Sequence, residues 1–369
     1  MQTRAGQPPF RADHVGSLLR PATLRQAFKQ HNAKQIDDDA FARIVDESIR
    51  DAVRLQEEVG LKVVTDGEFR RASYWGRFVE RTDGFAIRAA AYKFRDDHGH
   101  EVDFTAPYAM KKLRRTQPLA LDEFAFLRRA TRATPKITLP APSTMHFYGG
   151  RIYADPAAYP DDAPFFADLA RLFREEIAEL AKAGCRYVQL DEVAIALLCD
   201  PTIRDKVAAD GRDPDKLVDL YIEAINQAVA GRPADMVVGV HMCRGNFRGR
   251  YLAEGSYESV AERFFANTHV NHFLLEYDTS RAGDFKPLRF VPKTKGVVLG
   301  LVSTKTPELE SIDTLRRRTE EATKHISLDQ LAIGPQCGFA STVAGNPVSE
   351  ADERAKLARI VEAAGTIWP

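Results

Sequence analysis

The chain has 369 residues, 44% of them hydrophobic and 28% charged, enough to bury one large core or two ordinary ones. Its 52 lysines and arginines balance 52 aspartates and glutamates, which excludes a global field drawing it to nucleic acid or an anionic membrane and leaves a small molecule as the default partner. No stretch approaches the roughly 18 apolar residues of a membrane span and the start of the chain has no signal-peptide core, while four scattered cysteines (Cys185, Cys199, Cys243, Cys337) make no disulfide framework; a cytoplasmic protein is expected.

Eight apolar, β-rich runs recur along the chain, at 12–17, 62–68, 136–140, 187–192, 237–243, 272–278, 296–303 and 331–337. The segments between them are mostly helical in pattern: 37–59 ends at Gly60, 164–183 ends at Gly184, 214–230 and 307–324 open with proline, and 348–364 closes the chain. Alternating strands and helices predict an α/β fold with a parallel sheet, and eight is the number that closes a (β/α)8 TIM barrel, here a single domain over 1–369. One connection is far too long for that pattern. Residues 75–135, charged and partly aromatic, form an insertion between strands two and three that reads as a lid, a small subdomain or a surface excursion.

The chemistry-bearing residues fall where apolar runs meet glycine or polar residues, the C-terminal strand ends at which barrels keep their active sites. His241 and Cys243, in GVHMCRGN, are two apart on one strand and so share a face. Glu276 ends the apolar run HFLLEYD, where a carboxylate needs a cation or a donor, and Cys337 precedes Gly338 in GPQCGFAS. A nitrogen, two sulfurs and an exchangeable carboxylate favour zinc over magnesium or calcium. Two thiolates make that centre electron-rich, suited to lowering the pKa of an incoming thiol while leaving its sulfur nucleophilic, so the predicted reaction class is alkyl transfer to sulfur.

These residues resemble the four zinc ligands of the catalytic C-terminal barrel of cobalamin-independent methionine synthases, within the uroporphyrinogen decarboxylase/methionine synthase-like superfamily, in type, order and strand placement, and the likeness runs over nearly the whole chain. The resemblance implies a methyl transfer to homocysteine, forming methionine, with 5-methyltetrahydrofolate or methylcobalamin as donor. It also implies that Gly16 and Ser17 hold the amino acid through backbone groups and that Glu68 and Asp191 bind its ammonium group; Asp66 and Glu192 lie beside these and equally suit helix capping or pairing with Arg70, Arg71 or Arg186. Tyr148 takes the place of an aromatic residue that stacks on the pterin, with Phe147 and His146 as alternatives. Two departures stand out. The family's full-length enzymes carry a second barrel for which this chain has no room, opening a place for a homo-oligomer or accessory protein, and the family's proton-donating histidine is replaced by Lys305.

Other readings keep part of this chemistry. A zinc-dependent alkyltransferase could act on a sulfonated thiol such as coenzyme M, with an epoxide or methyl-corrinoid donor, the run Arg244, Asn246 and Arg248 then gripping the anion. A zinc-storing barrel or a thiol sensor without turnover would keep the ligands and lose the donor site.

Overall fold

The computed structural model describes residues 5–369; the first four residues of the predicted 1–369 domain lie outside it. Six parallel strands form the central sheet in the spatial order Leu331–Pro335, Gly296–Val302, His272–Glu276, Val237–Met242, Tyr187–Glu192 and Ile137–Pro140, the reverse of chain order. Every residue of these strands is buried, as parallel strands covered by helices must be, and this is why they read as apolar runs rather than alternating ones. In-register pairing sets Asp191 opposite His241 and Glu276 opposite Gly300, so the polar ends of the strands line up along one rim.

The two ends of the sheet are continued by shorter elements. Thr134–Pro135 stands one residue before Ile137–Pro140 and pairs in parallel with Val63–Val64, while Ala12 bridges Ile333 at the opposite edge. The expected strands at 12–17 and 62–68 are therefore reduced to a single bridge and a two-residue strand. The cause is local: Gly16, Gly67 and Glu68 have φ of 136°, 69° and 60°, outside the β region, and the backbone turns where the apolar pattern alone would extend it. Between these segments the Thr65 hydroxyl donates to Gly16 O at 2.6 Å and Leu18 N donates to Gly67 O at 3.1 Å.

The helices follow their caps. Asp37 accepts from Ala40 N ahead of Asp38–Glu58, Asp161 caps Asp162–Lys182, Asp213 precedes the proline that opens Pro214–Val229, and Ser349 with Asp352 forms a capping box on Glu350–Ile367. The helix expected over 307–324 begins only at Ile312, because Ser311 is its cap and Glu310 is drawn back to accept from Ser303 N at 2.8 Å. Residues 75–135 hold a short helix Gly76–Glu80, an antiparallel ribbon of Thr82–Ala89 with Thr105–Arg115, a small pair Phe94–Arg95 with Glu101–Val102, and the helix Leu121–Ala130. Arg115 pairs with buried Glu176 at 2.7 Å and Arg95 N donates to Tyr251 O at 2.8 Å, tying this segment to the main body.

Below the rim the sheet's interior is polar. Lys136, fully buried, lies 2.8 Å from Asp13 and 3.0 Å from Gln189 Oε1, and the Tyr187 hydroxyl donates to Asp13 Oδ2 at 2.5 Å. A second buried acid, Glu353, accepts from Leu19 N at 2.8 Å and joins the last helix to the first turn of the chain. Burial pushes Glu353 up to about 8, so the folded state binds a proton there that the unfolded chain releases near its ordinary value. The unfolded state then holds fewer protons between the two values, and stability falls as pH rises through that window. The Glu353→Gln variant is expected to lose this slope: urea midpoints of the parent should drop between about pH 5 and about pH 8 more steeply than those of the variant. Parallel pH profiles for the two proteins would refute it.

Candidate metal centre and substrate rim

His241 and Cys243 stand at the end of the Val237–Met242 strand, and Cys337 lies two residues past Leu331–Pro335. Two other strands separate these, so in a flat sheet the sulfurs would be about 14 Å apart, three strand spacings. They are 3.7 Å apart, and the ligand atoms of His241, Cys243 and Cys337 all lie within 4.8 Å of one another, because the sheet curls. Neither sulfur is in a disulfide. The His241 ring offers Nδ1 to Leu274 O at 3.1 Å, which leaves its buried Nε2 without a protein partner. A buried imidazole nitrogen with no protein partner beside two thiols is a donor set whose chemistry fits a soft cation such as zinc.

The charges agree. Cys337 lies well below the ordinary thiol range, because Cys243 shares its proton with it, and His241 adds to this against the cost of burial; Cys243 is correspondingly pushed up. Burial opposes charging His241, but the Cys337 sulfur outweighs it and moves the imidazole up. The three groups thus compete for protons at a place where a metal ion would satisfy them all.

Glu276 is held beside this trio. Its Oε2 accepts from Arg244 N at 2.6 Å, its backbone N donates to the Tyr257 hydroxyl at 3.1 Å, and its buried Oε1 has no hydrogen bond, with Lys305 Nζ 3.6 Å away. Burial would lower the Lys305 ammonium, but Glu276 and Asp278 outweigh it and hold its proton more tightly. Lys305 lines neither cavity described below.

Facing the trio is a small cavity whose walls include Ser17, Glu68, Asp191 and Tyr148. Glu68 is one of three non-glycine residues with positive φ among the described residues, a strained conformation that aims its carboxylate inward: Oε1 accepts from the Thr138 hydroxyl at 2.6 Å and Oε2 is unpartnered. Burial, then the Glu68 charge, push Asp191 up to about 7. Two acids forced together in this way are a receptor for a cationic group. Gly16 sits behind Glu68, where a Cβ would meet Thr138 at 2.6 Å, and Gly338 packs so closely on Ser17 that a Cβ would fall 1.9 Å from its hydroxyl.

Tyr148 also borders a second, larger space of about 430 Å³ walled by Trp75, Phe104 and Phe247, with Tyr74, Phe94 and Tyr148 shared between the two and the Tyr74 and Tyr148 hydroxyls 3.0 Å apart. The alternatives point elsewhere: Phe147 stacks on Tyr92, and His146 bonds the Tyr221 hydroxyl at 2.7 Å. Asp66 and Glu192 bond the backbone just after them, accepting from Glu68 N and Ile195 N. The basic run does not reach the cavity as an anion grip. Arg244 donates to Gly255 O and lies over the Tyr257 ring, Arg248 is exposed, and only Asn246 lines the cavity, where it ties the two ligand loops by donating to Gly338 O at 2.8 Å. Tyr74 gave no spacing signal, since its place at the cavity depends on a loop folding over the rim.

A curved parallel α/β sheet with a His/Cys/Cys cluster and paired acids at one rim defines an enzyme, and its class is the methyltransferases. The chain belongs to the family described as the cobalamin-independent synthase catalytic domain, whose profile matches residues 10–366. The Bacillus subtilis protein YxjH, itself uncharacterized, is 40% identical over 98% of this chain and 95% of its own length. A methionine synthase of Pyrococcus abyssi is 28% identical over 88% of this chain and 85% of its own. Among solved structures, a Listeria monocytogenes protein provisionally described as a vitamin-B12-independent methionine synthase shares 31% identity, covers 98% of this chain and 99% of its own, and superposes with a TM-score of 0.77. Replacing Cys243 or Cys337 with serine is expected to weaken metal binding by more than the roughly 10–100-fold lost when a ligand's outer partner is removed, read by competition with a chelator. Unchanged affinity would remove that sulfur from the site.

Proposed function

We propose that this protein is a zinc-dependent, cobalamin-independent methyltransferase that converts homocysteine to methionine. The observation that carries the reading is the pair of sulfurs 3.7 Å apart beside an unpartnered imidazole, facing paired acids across one cavity. Two sulfurs on a tetrahedral zinc, each at about 2.3 Å, stand about 3.8 Å apart, so the residues fit that ion without rearrangement. His241, Cys243 and Cys337 would hold it, with Glu276 as the exchangeable fourth group. Zinc so held lowers the pKa of a substrate thiol and leaves it nucleophilic.

The remaining roles fall to the chain's own residues. Glu68 and Asp191 take the substrate's ammonium, Gly16 and Ser17 line the backbone turn that receives its amino-acid end, and Tyr148 stacks on the donor, read as a methylated folate, from the larger aromatic space. Lys305 balances the charge of Glu276 and thereby steadies the carboxylate nearest the metal. The acid pair favours a thiol bearing an ammonium over a sulfonated one, whose anion no arginine at this rim is free to meet.

The fold is read in the same way as one (β/α)8 barrel. The six-stranded sheet, the Val63–Val64 pair and the Ala12 bridge supply eight staves in order, and only a closed or nearly closed sheet brings Cys243 to Cys337. Residues 75–135 are then an insertion after the second stave that walls the donor space. A second barrel is not required by the name, since the Pyrococcus relative is matched over 85% of its own length. No helix among the described residues is long and apolar enough to cross a membrane, and four unpaired cysteines support a reducing, cytoplasmic setting.

Zinc-edge X-ray absorption with and without L-homocysteine tests the central claim. The expected result is a shell with two sulfurs that gains a third on adding the thiol. A shell that stays at two sulfurs while the protein binds homocysteine would overturn it.

A further inference from the structure

Asp191 does not stand alone in the rim; it is the last member of a hydrogen-bonded chain that starts in the buried interior. Lys136 carries only donors, and two of its partners are Asp13 Oδ1 at 2.8 Å and Gln189 Oε1 at 3.0 Å. Because an ammonium can face only the oxygen of an amide, the orientation of Gln189 is fixed. Its Nε2 is then turned to donate to Val15 O at 2.6 Å and to Asp191 Oδ1 at 2.8 Å. Asp13, in turn, is held by the Tyr187 hydroxyl at 2.5 Å, and that hydroxyl also meets His272 Nε2 at 2.7 Å.

The consequence lies at the substrate cavity. Gln189 and Asp191 are two apart on the Tyr187–Glu192 strand and so share a face, and the amide occupies Oδ1 of the acid. That leaves Oδ2 as the oxygen free to meet an ammonium, alongside the unpartnered Oε2 of Glu68. The donor also offsets repulsion between two acids buried at one wall. A side chain with no donor at position 189 would free Asp191 to turn away and take up a proton instead.

We propose that Gln189, oriented by the buried Lys136–Asp13 pair, is the positioning residue that makes Asp191 an ammonium receptor, and hence sets the preference of this enzyme for thiols that carry an α-amino group. This rests on the homocysteine reading above and adds to it the group through which selectivity is set. Gln189 touches neither the thiol nor the metal ligands, so its effect must appear in recognition of the amino end alone.

The test compares L-homocysteine with 4-mercaptobutanoate, which keeps the thiol and carboxylate and lacks the amine, by calorimetric titration of the zinc-loaded protein. The variants are Gln189→Glu, which keeps an oxygen for Lys136 and removes the donor to Asp191, and Gln189→Met, which removes both. The parent is expected to prefer homocysteine, and each variant to lose about tenfold or more of that preference, the loss of one hydrogen bond to a charged group, with zinc content unchanged. The glutamate variant should lose more, since it adds a like charge; if it fails to fold, the methionine variant decides alone. Equal weakening toward both thiols would mark Gln189 as merely structural and overturn the proposal, as would an unchanged preference. A parent that does not distinguish the two thiols would overturn the ammonium reading of Glu68 and Asp191 itself, a separate failure from that of Gln189.

Discussion

Two thiols and an imidazole buried within 4.8 Å of one another, with the Glu276 carboxylate near but outside that cluster, concentrate ionisable groups where water cannot solvate them, and the arrangement of the whole rim follows from how their charge is met. The protein supplies part of the answer. Arg244 N and Lys305 face Glu276, and His241 faces Cys337. They leave the Nε2 of His241 and one oxygen of Glu276 without a hydrogen bond. Assembling this set requires the sheet to curl until strands three places apart bring their ends together, so the curvature of the fold and the chemistry of the site are one constraint seen at two scales.

A second layer of polar groups lies beneath the first. Lys136, Asp13, Gln189, Tyr187 and His272 fill the interior where aliphatic side chains would pack as well or better, and a buried ion pair is weak grounds for stability. Their value is directional. Each hydrogen bond removes a rotational choice from the next group, and the last one in line is an acid that faces substrate. The rim is therefore oriented from below by side chains and from the sides by backbone: the left-handed turn at Glu68 and the close approach of Gly338 to Ser17 each set one wall.

Much of this was legible in the sequence, and the limits are physical. Six of the eight expected strands could be read because parallel strands buried on both faces are nearly continuous apolar runs, and His241 with Cys243 could be paired because a period of two puts them on one face. The same rule overextended 12–17 and 62–68, since hydrophobicity does not report the positive φ of Gly16, Gly67 and Glu68 that ends each strand early. The Lys136 network gave no pattern at all: its members are single polar residues in apolar strands, drawn from positions 13, 136, 187, 189 and 272, and only closure of the sheet makes them neighbours. Tyr74 was hidden for a related reason, being a loop residue at the edge of the 75–135 segment, and Asn246, read only as part of an anion grip, instead joins two loops.

Arg244 and Lys305 show how burial changes the meaning of a charge read from sequence. Both sit next to ligands and look like groups waiting for an anion. In the folded protein Arg244 spends its guanidinium on Gly255 O and the Tyr257 ring, and its useful contact is the backbone N–H that pins Glu276. Lys305, where relatives of this family are expected to carry a proton donor, instead keeps its proton for the carboxylates of Glu276 and Asp278 and reaches neither cavity. Neither space is lined by a lysine or an arginine, so the polarity of the first cavity comes from Glu68, Asp191, the two thiols and the His241 imidazole, and that of the larger one from Glu80 and tyrosine hydroxyls.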